Sequence, residues 1–218
     1  LLGEFLSILI LSTPMNLLKK ISSALLSTIQ DIYLMILKKY FILYKPFLFF
    51  LGAFFLTYIV LTFFYQRYLN GFEENQIDSV TRMVSENTQQ VLRFFNDRSS
   101  IEESAAHPYM KLFYNEKYVA RIVEGCNAVS VIILFISFVV AFSGKLKATL
   151  LFIFGGSLLI YVLNVIRIAT LIALIYYFPK QESFLHEVLF PLYIYGVVFI
   201  LWLIWVRKFS RYASKDSE

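Results

Sequence analysis

The chain has 218 residues, of which 59% are hydrophobic and only 16% charged. Globular domains are about half apolar and about a quarter charged, so this composition excludes a disordered chain, a disulfide scaffold and an ordinary cytosolic enzyme. A formal charge of +5 would suggest nucleic acid in a soluble protein, but here basic residues flanking membrane spans account for it, and no nucleic acid is expected.

The sequence opens on Leu1, with Met15 and Met35 as alternative starts. Residues 1–13 are apolar but too short to cross a bilayer. Lys19 and Lys20 follow that run instead of preceding it, which argues against a signal peptide. Residues 21–44 mix apolar side chains with Asp31, Lys38 and Lys39, the pattern of a helix lying at the interface. Residues 1–45 thus form a cytoplasmic or interfacial region.

Four spans are expected within a membrane-embedded region, residues 46–206. They run from Pro46 to Tyr65, Cys126 to Ala141, within Ala148–Phe178, and from Val188 to Val206. Lys38, Lys39 and Lys45 precede the first span. Lys145 and Lys147 fill the turn between the second and third, and Arg207, Lys208, Arg211 and Lys215 follow the fourth. The positive-inside rule puts these groups, and the tail 207–218, in the cytoplasm. Residues 66–121 and 179–187 then face outward. Ile77, Val80, Val84, Val91 and Phe94/Phe95 predict an amphipathic helix over 75–96. MKLFY and KYVARI around Asn115–Glu116 predict a short hairpin. The expected fold is an all-α polytopic membrane protein with about four transmembrane helices and a small extracytoplasmic segment.

Three polar residues stand at matching distances from the basic ends of their spans. Eighteen residues separate Cys126 from Gly144, twenty separate Lys147 from Arg167, and twenty-one separate His186 from Arg207, each about 30 Å as helix. The hydrocarbon core has about that thickness, so thiol, guanidinium and imidazole reach one boundary. Arg167 sits among apolar residues, where a charge marks a functional site unless it snorkels. Asn164, three residues earlier, shares its helix face and would orient the guanidinium or cap a bend. Cys126 at a helix start would gain nucleophilicity from the dipole and a nearby cation, with His186 as base. Read alone, Cys126 would be a small buried hydrophobe.

The stretch YNEKYVARIVEGCNAVSVIILFISFVVAF, the segment NVIRI and the histidine of SFLHEVLF resemble the exosortase/archaeosortase family, and EGCNA resembles the branch called exosortase F. The resemblance covers roughly residues 38–206. It implies Cys126 as nucleophile, Arg167 as stabiliser of thiolate or oxyanion and His186 as general acid/base. Glu124, Asn127 and Asn164 would support them, with main-chain N–H groups near Gly125–Asn127 as further oxyanion donors. It implies an integral-membrane cysteine protease or transpeptidase of the inner (cytoplasmic) membrane, with its active site outward. Its partner would be a C-terminal sorting signal of exported proteins: a short motif, a transmembrane helix and a basic tail. No metal or cofactor is implied. The commoner family pattern places Ser-Gly after the cysteine, whereas this chain has Asn127–Ala128. Two other classes stay open: a non-enzymatic membrane assembly partner, in which Arg167 pairs with an acidic residue of another span, and a small anion transporter using Asn164 and Arg167.

Overall fold

A computed structural model describes residues 15–73, 75–95, 98–142 and 144–209. The apolar run 1–13 and the tail beyond 209, with Arg211 and Lys215, lie outside the described residues. The described chain is mostly helical, and three helical segments are long and apolar enough to cross a membrane. Two compact units divide it, one ending at Phe49 and one beginning at Phe50.

Helix α1 spans Met15–Leu69 with Pro46 inside it. The expected amphipathic helix is α2, Ser79–Phe95. Asp78 opens it, its carboxylate accepting the Thr81 N–H at 2.9 Å, which satisfies one of the free donors of a first turn. Thr81, Val84, Ser85, Thr88 and Leu92 form the inward face. Phe94 and Phe95, expected on that face, are instead 85% and 78% exposed. They lie beyond Leu92, the last α2 side chain in the core.

The expected hairpin is β2 (Met110–Tyr114) with β3 (Lys117–Ile122). Asn115 and Glu116 turn it with φ of 52° and 62°. Two consecutive positive φ values give the turn whose twist matches paired strands. A further strand, β1 (Ser100–Glu103), pairs antiparallel with β2, so the sheet has the order β1-β2-β3. Strand β1 is an addition to the expected hairpin: SIEE has no apolar alternation, and only pairing with β2 makes it a strand.

The second expected span is also corrected. Helix α3 covers only Val129–Ala141, 13 residues, or about 20 Å. Cys126 lies outside it, in a 3-10 turn over Glu124–Cys126. Phe135 and Val139 are fully buried in a cluster with Ile160, Val198 and Trp205. At the basic end Phe138 stacks on Trp202 at 4.1 Å, Phe50 meets Phe142 at 4.6 Å, and the Trp205 indole N–H donates to the Phe142 carbonyl at 3.0 Å.

Helix α4 is continuous from Leu146 to Tyr177. Its Gly156 lies directly under the Phe135 ring, so a methyl group there would overlap the aromatic carbons. Beyond Tyr161 it enters a second core. Val165, Ile168 and Ile172 pack with Val84 and Leu92 of α2 and Leu112 and Ile122 of the sheet. The part of α4 beyond Tyr161 therefore projects into the sheet-bearing layer. Pro179–Phe209 is the third long apolar helical segment. Within it α5, Phe190–Ile204, lies between π-helical turns at Leu185–Leu189 and Trp205–Phe209.

Candidate functional site

The turn before α3 is built around Asn127, which is 2% exposed. Its side-chain oxygen accepts the Val129 N–H at 2.9 Å and so starts α3. Its amide nitrogen donates to the Tyr65 hydroxyl at 2.8 Å and to Thr81 Oγ1 at 3.0 Å. One amide thus joins α1, α2 and α3. With that oxygen serving as cap, the helix cannot begin before residue 129. Ala128 absorbs the change of direction in the left-handed region, at φ 64° and ψ 6°. That conformation costs a non-glycine residue about 1 kcal/mol.

Cys126 is half-buried against the core that holds Val165 and Ile168. Its main-chain carbonyl accepts from the Asn164 amide at 2.8 Å. Asn164 is 1% exposed, and its side-chain amide holds the cysteine turn against α4. Arg167, one turn further on, lies within electrostatic range of the Cys126 sulfur and the Tyr195 phenol. Its Nε is buried and bonded to no described group. The distance count that paired Cys126 with Arg167 assumed more helix than α3 has, since α3 begins only at Val129.

His186 is exposed on the π-helical turn Leu185–Leu189. Its neighbour Leu185 packs with Leu171 and Ile175, one and two turns beyond Arg167 along α4. No described contact joins His186 to Cys126 or Arg167. Glu124 is exposed at the start of the 3-10 turn, its carboxylate within electrostatic range of the Tyr65 hydroxyl. The main-chain donors expected near Gly125–Asn127 need correction. The Cys126 N–H already donates to Val123 O at 2.8 Å and the Asn127 N–H to Glu124 O at 3.1 Å. The tight turn consumes both.

Tyr65, Thr81 and Tyr195 belong to this polar layer and were not singled out from the sequence. Tyr65 and Tyr195 interrupt apolar spans, a weak signal, and Thr81 offers none. Among the described residues no group of three His, Cys, Asp or Glu side chains is placed to hold a metal ion. An apolar groove of about 310 Å³ lies elsewhere, between Leu151, Phe152, Gly155, Leu159, Leu201 and Phe209, and offers no acid, base or nucleophile. Comparisons with protein-family models, curated proteins and solved structures find no match to the chain.

Proposed function

We propose that the protein is a membrane cysteine protease or transpeptidase of the exosortase kind, acting on C-terminal sorting signals of exported proteins at the outer face of the cytoplasmic membrane. The observation that carries this reading is the seat of Cys126: Asn164 fixes its carbonyl while Arg167 of the same α4 face lies in range of its sulfur. Ala128 adds support. The commoner family pattern has glycine at this position, and the left-handed conformation of Ala128 is one that glycine adopts freely.

In this mechanism the Cys126 thiolate attacks the scissile carbonyl and the C–N bond breaks. Arg167 offsets charge on sulfur and on the developing oxyanion. His186 delivers a proton to the leaving amine. Water or an amine acceptor then resolves the thioester and releases the thiolate. The outward orientation rests on Lys145, Lys147, Arg207 and Lys208 flanking the spans on the side away from Cys126.

The decisive experiment compares the C-terminal masses of the host's exported membrane-anchored proteins with the intact chain and with Cys126→Ala. Loss of tail removal in Cys126→Ala, repeated in Arg167→Gln and His186→Ala, is the expected result. Full processing by Cys126→Ala overturns the proposal.

A second reading is favoured by the unbonded Nε of Arg167. A buried polar atom lacking a hydrogen-bond partner is costly, and a carboxylate on a neighbouring membrane protein would complete it. In that assembly role Cys126 is chemically idle, so it resists alkylation and tolerates replacement.

A further inference from the structure

Along the helix of the N-terminal unit the charged side chains collect on one stripe, with exposed Leu34, Met35, Phe41 and Ile42 flanking it. Lys20, Ser27, Asp31, Lys38 and Lys45 follow one another at intervals of seven, four, seven and seven residues, which keeps them on one stripe. Leu25, Ile29, Tyr33, Ile36, Tyr40 and Phe47 follow at intervals of three, four or seven and form the other face. Lys38 and Tyr40, Asp31 and Tyr33, and Lys45 and Phe47 stand two residues apart, about 200° around the helix. The apolar face therefore looks directly away from the lysine stripe.

These apolar side chains are 48% to 67% exposed. Leu26, Ile32 and Leu37 are exposed beside them, so the bare surface is much wider than the narrow seam that a partner helix covers. Tyr33 and Tyr40 lie within it, and Tyr40 stacks on Tyr44 at 6.2 Å. Tyrosine rings favour the headgroup level, where the body is dry and the hydroxyl wet. Lys19, Lys20, Lys38, Lys39 and Lys45 face a single acid, Asp31, between Met15 and Phe49. Wide apolar face, interfacial tyrosines and lysine excess together match an anionic lipid surface.

We propose that residues 19–47 bind along an anionic bilayer surface, with the Ile29–Tyr33–Tyr40 face immersed and Lys20, Lys38 and Lys45 at the lipid phosphates. The full-length protein is reconstituted in vesicles of phosphatidylcholine alone or mixed with phosphatidylglycerol. Chymotrypsin cleavage after Tyr33, Tyr40 and Tyr44 is then timed by mass spectrometry. Cleavage is expected to be severalfold slower with the anionic lipid. Raising the salt concentration narrows the gap, and K20Q/K38Q/K45Q abolishes it while leaving every cleavage site in place. Equal rates in the two lipids overturn the proposal. So does protection that depends on protein density at fixed lipid composition, which would assign the face to a second copy of the chain.

Discussion

The side-chain amide of Asn164 donates to the main-chain carbonyl of Cys126 at 2.8 Å, across 38 residues of sequence. The bond is nearly closed to solvent, since Asn164 is 1% exposed. Removing it by Asn164→Leu strands a carbonyl at a site that water does not readily reach. A loss of about 1–3 kcal/mol is expected, read as a lower thermal midpoint in detergent. The same variant frees the cysteine turn, so alkylation of Cys126 should change in rate even well below the midpoint.

Asn127 carries three bonds where Asn164 carries one. Asn127→Ala is therefore expected to be the more damaging change, at about 2–4 kcal/mol. Tyr65→Phe and Thr81→Val each remove a single partner and should cost about 1 kcal/mol or slightly more. If Asn127→Ala unfolds at the wild-type temperature, the amide does not join the three helices.

Two adjacent glycines give a paired test of packing. At Gly156 an added methyl meets the buried Phe135 ring, whereas at Gly155 it meets nothing within 4 Å. Gly156→Ala should destabilise by about 1–3 kcal/mol. Gly155→Ala should be neutral or stabilising by up to about 1 kcal/mol, since alanine is the better helix former. Equal midpoints for the two variants would contradict the close approach of α3 and α4.

Ala128 tests the backbone itself. Ala128→Gly relieves the left-handed strain and should be tolerated, while Ala128→Val forces a β-branched residue to positive φ and should cost about 2 kcal/mol or more. Circular dichroism melts of both variants decide it.

Arg167 tests the electrostatics of the cysteine. In the proposed mechanism Arg167 offsets charge on the sulfur, so Arg167→Gln is expected to slow alkylation of Cys126. Cys126 is the chain's single cysteine, so the label reports on one atom. An unchanged rate in a folded Arg167→Gln variant would show that the two groups do not communicate.

Much of the local structure was legible because it rests on short-range periodicity. Helix α2, with Val84 on its inward face, and the hairpin around Asn115–Glu116 needed only windows of a few residues. Strand β1 was not legible, because Glu102 and Glu103 look like loop until β2 is present to pair with them. The start of α3 was hidden for a different reason. Hydropathy registers that residues 126–141 are apolar, but not that Asn127 spends its side-chain oxygen on the Val129 N–H. Of the site, the candidacy of Cys126 and Arg167 could be anticipated from residue type and spacing. The contributions of Tyr65 and Thr81, 62 and 46 residues away from Asn127, could not. Nothing in one sequence encodes which distant polar groups will meet.

Helix α4 runs without interruption from the aromatic cluster around Phe135 and Phe152 to the sheet-facing residues Ile168 and Ile172. It works as a strut with one end in each core. Tilting it at the lipid-facing end would carry the sheet, α2 and the Cys126 turn with it as one piece. The wide-wound turn at Leu185–Leu189 lies off that strut, and there the backbone carrying His186 departs from regular α geometry.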